Sequence, residues 1–83
     1  MYRVYILESI EKSNKYYIGR TQDLNNRLER HNRGLVRSTK SARPWKIIYT
    51  EEYNTKNDAY KRELRIKSYK GGDAFKKLIK RIK

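Results

Sequence analysis

The chain has no cysteine and only one histidine, one proline and one phenylalanine among its 83 residues. Without cysteine there is no disulfide, no thiolate zinc site and no thiol nucleophile. A single histidine, His31, excludes a site built from several imidazoles, so a bound metal would be a hard cation held by carboxylate oxygen and water. Long apolar runs are missing as well. No stretch approaches the roughly 20 residues of a membrane-spanning helix. The first residues hold Arg3, Glu8, Glu11 and Lys12 and no apolar export core, so a soluble cytoplasmic protein is expected. Acidic residues are few: 9 Asp and Glu against 22 Lys and Arg leave a net charge of +13. Charge of one sign at this density repels itself in a compact fold. The usual compensating partner is a polyanion, most often nucleic acid, which also allows a nucleoid-associated location.

At this length one domain, residues 1–83, is expected, and its core must be thin. Residues 2–8 read as a strand. Ser9 to Lys15 form a polar turn, and residues 16–20 return as the second strand of a hairpin. Gly19 inside that strand suggests close approach of another backbone or a ligand. Thr21 and Asp23 are N-cap candidates for a helix running to about Asn32 and ended by Gly34. Residues 35–44 form a basic loop stopped by Pro44. Trp45 to Tyr53 is rich in aromatic and β-branched residues and suits a third strand. Thr55 or Asn57 can cap a second helix to about Lys70, which Gly71-Gly72 breaks. Asp73 then caps a last helix with Phe75, Leu78, Ile79 and Ile82 on one stripe. The order β-β-α-β-α-α predicts an α+β fold, a small three-stranded sheet flanked by helices.

Several polar side chains fall where apolar ones belong. In the first helix Leu24, Arg27, Leu28 and His31 share roughly 100° of arc, the width of one apolar stripe. Arg27 either snorkels to the rim or faces a cavity that holds an anion, for which its planar fork suits a phosphate. In the second helix Glu63 lies on the side of Ala59 and Ile66, and needs a cation, either Arg27 or a metal. If the hairpin pairs Tyr5 and Tyr17 on one face, two phenols sit near the arginine. A guanidinium or metal would favour the ionised phenol, which can act as a general base on water. Tyrosine base, arginine clamp and a carboxylate holding Mg²⁺ or Mn²⁺ make a plausible site for phosphodiester hydrolysis.

Val4-Tyr5, then Tyr17-Ile18-Gly19-Arg20-Thr21-Gln22-Asp23-Leu24, Arg27-Leu28, His31-Asn32 and Arg62-Glu63 with Lys67 form an ordered set that resembles the GIY-YIG nuclease superfamily. Arg43-Pro44-Trp45 is similar to its short bacterial members, relatives of the nuclease domain of the excision-repair incision subunit. The resemblance implies the GIY-YIG fold and a divalent-metal-dependent DNA endonuclease serving repair or recombination. Tyr5 and Tyr17 would match the two motif tyrosines, either of which can be the base. Arg27 would match the catalytic arginine and Glu63 the metal ligand. His31 matches a histidine of many members, and Arg20 stands where some have a lysine near the phosphate. Two departures stand out. The first motif opens Arg3-Val4-Tyr5 in place of Gly-Ile-Tyr, and the last helix lacks the asparagine that several members carry. Larger members choose substrates with added modules. Their absence here implies an unspecific enzyme, a dimer, or a protein partner that supplies specificity.

Each residue also has a plain reading. The tyrosines can be ordinary strand residues. Arg27 can pair with Asp23, and Glu63 with Lys67, at i,i+4. His31 suits a helix C-terminus, and Arg20 can be a solvated strand end. Arg37, Lys40 and Arg43, with Lys67 and the run Lys76, Lys77, Lys80, Arg81, Lys83, are candidates for a phosphate-tracking surface. The competing function is a non-catalytic basic nucleic-acid-binding module, with an RNA- or ribosome-associated protein behind it.

Overall fold

The computed structural model describes residues 1–80. Strands β1 (Tyr2–Ser9), β2 (Tyr16–Thr21) and β3 (Trp45–Tyr53) form one antiparallel sheet in the order β2-β1-β3. The helices are α1 (Leu24–Asn32), α2 (Lys56–Ser68) and α3 (Asp73–Lys80). The element order is the one the residue pattern predicts. Ile82, Arg81 and Lys83 lie outside the described residues.

The central strand β1 decides the layering. Its successive side chains point to opposite faces. Val4 and Ile6 pack with Ala59 and Ile66 of α2 and with Phe75, Leu78 and Ile79 of α3. Tyr5 and Leu7 pack with Ala42 and Trp45, and with the half-buried Tyr17, Leu24 and Leu28. A strand buried on both faces in this way needs a continuous apolar run, and Val4-Tyr5-Ile6-Leu7 supplies it, each fully buried.

Helix starts follow capping chemistry. The Asp23 carboxylate accepts the Asn26 N–H at 3.0 Å and so caps α1, while Thr21 accepts the Asp23 N–H. Asp23 therefore serves the helix end and makes no ion pair with Arg27. Thr55, not Asn57, caps α2 by accepting the Asp58 N–H. Asp73 is the first residue of α3 and not its cap; the Gly72 carbonyl accepts the Lys76 N–H. Helix α2 stops at Ser68, two residues before the predicted end, and Lys70 follows at φ 50°.

Residues 35–44 are not a plain loop. Arg37–Ala42 form a 3-10 turn that buries Thr39 and Ala42. The Thr39 carbonyl accepts the Trp45 indole N–H at 2.9 Å, which fixes Trp45 in the core. Asn32 pins the end of α1 to β3, accepting the Trp45 N–H at 2.6 Å and donating to the Trp45 carbonyl at 3.1 Å. On the other side of the molecule Glu51 ties β3 to α2. It accepts two bonds from Arg62 (2.7 and 2.9 Å) and one each from Tyr49 and Tyr53. Burial alone would raise the Glu51 carboxyl, but those bonds outweigh it and hold it below its ordinary range.

Candidate active site

The hairpin register sets the site. Tyr5 pairs with Gly19 and Leu7 with Tyr17, so the two tyrosines stand diagonally on one face, ring centroids 6.3 Å apart. Gly19 has a clear reason to be glycine. A Cβ there would lie 2.6 Å from the Tyr5 hydroxyl oxygen and 3.1 Å from the Tyr17 ring. The close approach at Gly19 is made by the neighbouring phenols rather than by another backbone.

Tyr5, Tyr17, Gly19, Arg20, Arg27 and Glu63 line one open cleft of about 260 Å³ beside the edge strand β2. Strands β1 and β2 supply the tyrosines and Arg20, α1 supplies Arg27, and α2 supplies Glu63. The five residues come from positions as far apart as Tyr5 and Glu63.

His31 does not reach the cleft. It is fully buried behind Tyr5, at the C-terminal turn of α1. Its Nε2 lies 3.0 Å from the Tyr5 hydroxyl, and its Nδ1 lies 2.8 Å from the Thr39 hydroxyl. Thr39 Oγ1 donates to the Val36 carbonyl at 3.3 Å. That leaves Thr39 to accept from Nδ1–H, and leaves Nε2 to accept from Tyr5. Burial, and then the charges of Arg27 and Arg30, lower the imidazole from 6.5 to about 4, so it is neutral near pH 7.

The electrostatics of Tyr5 run against the expectation of an ionised phenol. Burial, with the Tyr17 phenol beside it, pushes Tyr5 well above the ordinary phenol range, and the Arg27 guanidinium lowers it only in part. The reason is that Tyr5 has almost no exposed surface, and the loss of hydration disfavours a phenolate more than the Arg27 guanidinium beside it favours one.

Glu63 is 6% exposed and is satisfied by two cations. Its Oε1 accepts from Arg20 at 2.7 Å and its Oε2 from Lys67 at 2.6 Å. Arg27, the partner first expected, makes no ion pair among the described residues. Arg20 and Lys67 are therefore parts of the Glu63 cluster. Arg37, Lys40 and Arg43 are exposed on or beside the 3-10 turn and line no wall of the cleft. Two further contributors carry no mark in the sequence. Thr39 gives no sequence signal, since a threonine in a polar stretch is common. Tyr60 sits on α2 one turn before Glu63, with the Arg20 guanidinium carbon 4.7 Å from its ring centre.

Could Glu63 hold a divalent ion? Among the described residues no three His, Cys, Asp or Glu side chains gather. A lone carboxylate suits Mg²⁺ or Mn²⁺ when water and substrate phosphate complete the shell. Its two oxygens are free for that role once Arg20 and Lys67 turn away.

A three-stranded antiparallel sheet with flanking helices, and a cleft that gathers two tyrosines, two arginines and a glutamate from four elements, define a small α+β domain with a polar cleft. Residues 1–77 match the family model described as the GIY-YIG catalytic domain, and the chain belongs to this nuclease superfamily. It is similar to the UPF0213 proteins of Staphylococcus aureus strains Mu3, Mu50 and N315. Each is 45% identical over 67 residues, 80% of this chain and 79% of the relative. No solved structure gives a significant match. No helix among the described residues is long and apolar enough to cross a membrane.

Proposed function

We propose that this chain is a divalent-metal-dependent DNA endonuclease that hydrolyses phosphodiester bonds. It acts as one catalytic unit over residues 1–83, in the cytoplasm on nucleoid DNA, and serves repair or recombination. The observation that carries the reading is the convergence of Tyr17, Arg20, Arg27 and Glu63 on one cleft in a chain of net charge +13.

Glu63 would hold Mg²⁺ or Mn²⁺, and such an ion would supply Lewis acidity at a phosphate oxygen. The chain's own residues do the rest. Arg27 faces the cleft without an ion-pair partner among the described residues and binds the non-bridging phosphate oxygens, where charge develops. Arg20 and Lys67 exchange Glu63 for phosphate as DNA arrives, which frees both carboxylate oxygens. Tyr17 is half-buried and lines the open cleft, so it is the phenol that meets the attacking water: it gives its own phenolic proton to solvent in the cleft and, as phenolate, takes the proton of that water. Tyr5, sealed and bonded to His31, positions the Tyr17 ring, which packs 4.8 Å from the imidazole. Thr39 in turn orients His31.

The test is cleavage of plasmid, single-stranded and branched DNA with Mg²⁺ or Mn²⁺, beside EDTA and the Glu63→Gln variant. Cutting by the metal-loaded wild type alone supports the reading. Salt-dependent binding with no cutting under either metal supports the non-catalytic binding module instead. The observation that favours that module is the state of Glu63, which is already neutralised by two cations.

A further inference from the structure

Beside the cleft lies a second hollow of about 350 Å³ walled by Arg20, Lys56, Asn57 and Tyr60. A third, of about 400 Å³, has Arg20, Arg27 and Lys56 among its walls. Arg20 lines all three, so the three hollows adjoin one another around its side chain, and Glu63 lines the first of them. Together their walls carry three cations, Arg20, Arg27 and Lys56, and one large exposed aromatic ring, Tyr60.

Tyr60 has no packing reason to be aromatic. It is 43% exposed, while the inward side of α2 is filled by Ala59, Glu63 and Ile66. A single exposed ring needs no explanation by itself. This one stands one helical turn from Glu63 and is engaged by the guanidinium that also holds Glu63. A cation within ~6 Å of a ring centre is attracted by its π-face. Arg20 thus holds the ring at the margin of the cleft, on the side that would face a nucleotide flanking a phosphate in the cleft.

We infer that Tyr60, with Arg20 and Lys56, forms a stacking subsite for one unpaired nucleotide flanking the phosphate in the cleft. Resting on the nuclease reading of that cleft, this narrows the substrate to DNA with a single-stranded, frayed or branched segment. The reason is geometric. A ring stacks on the flat face of a base, and inside a duplex both faces are covered by neighbouring bases. Only an unstacked base offers a free face. Lys56 and Arg20 supply the charge that tracks the backbone on either side.

The experiment measures equilibrium binding of single-stranded and duplex oligonucleotides that carry 2-aminopurine, in EDTA, so that no cleavage is involved. Stacking on an aromatic ring quenches this base. The expected result is tighter binding of the single strand, with quenching by the wild type and by Tyr60→Phe. Tyr60→Ala should lose the quenching and bind the single strand roughly ten-fold or more weakly, with duplex binding little changed. Tyr60 is exposed and alanine is a strong helix former, so the variant should keep its helix; thermal melting checks this. Equal affinity of wild type and Tyr60→Ala for the single strand, or undiminished quenching by Tyr60→Ala, overturns the subsite and leaves the nuclease reading standing. Absence of salt-dependent binding to any DNA overturns both.

Discussion

Replacing Gly19 by alanine reports on the whole arrangement, because its sign is decided by one contact. In an open strand, Gly→Ala stabilises by roughly 0.5–1 kcal/mol, since glycine loses more freedom on folding. Here the new methyl would stand 2.6 Å from the Tyr5 hydroxyl oxygen and 2.7 Å from the ring carbon that bears it. Tyr5 cannot retreat: it is fully buried and its hydroxyl is bonded to His31. Forcing it aside costs about 1–3 kcal/mol as overpacking, and leaving His31 Nε2 unpaired adds about 1–3 kcal/mol. The terms sum to a net destabilisation of about 1–5 kcal/mol, centred near ~3, which lowers Tm by roughly 12–24 °C at that centre for a domain of this size. Urea and thermal unfolding read it directly. The double variant Tyr5→Phe/Gly19→Ala removes the closest clash and should recover part of the loss, giving a non-additive cycle. A Gly19→Ala protein as stable as wild type, or more so, would refute the packing of Tyr5 against Gly19 and the site frame built on it.

The other expectations concern chemistry and charge. Arg27→Ala and Glu63→Gln should each slow cleavage by about 10²–10³-fold, while circular dichroism shows the same fold. Cutting at the wild-type rate by both variants would remove these residues from the site. Tyr17→Phe should cut at least ~10²-fold more slowly with stability changed by less than about 0.5 kcal/mol. Tyr5→Phe should instead lose about 1–3 kcal/mol of stability by orphaning His31; the reverse pattern would exchange the roles given to the two phenols. His31 binds a proton near 6.5 when unfolded and only near 4 when folded. The unfolded chain therefore holds more protons across that window, and stability falls as pH drops from about 6.5 to about 4, by roughly 1.4 kcal/mol per pH unit. The single imidazole of the chain makes the NMR titration unambiguous, and a native-state midpoint near 6.5 would contradict its burial.

The element order was legible because each segment obeys a local rule. Val4-Tyr5-Ile6-Leu7 is apolar throughout, and Asp23 and Thr55 are good caps. Phe75, Leu78 and Ile79 recur at helical spacing. The polar residues on apolar stripes were legible for the same reason, since each breaks the rule around it. What pairs with what was not. Helical spacing brings Glu63 to Lys67, but Arg20 arrives from 43 positions away. No periodicity encodes that distance.

Composition and pattern by themselves determined the strand and helix assignments, the excess of positive charge and the set of candidate groups. These depend on backbone preference and on side-chain type, which are properties of neighbouring residues. Only the tertiary structure decided that Arg20 rather than Arg27 holds Glu63. It also decided that His31 stands behind Tyr5 on a Thr39 hydroxyl, that burial keeps the Tyr5 phenol protonated, and that Gly19 yields its Cβ space to Tyr5. Each of these turns on desolvation or on contact between distant segments. Both quantities exist only once the sheet register and the helix packing have brought those segments together.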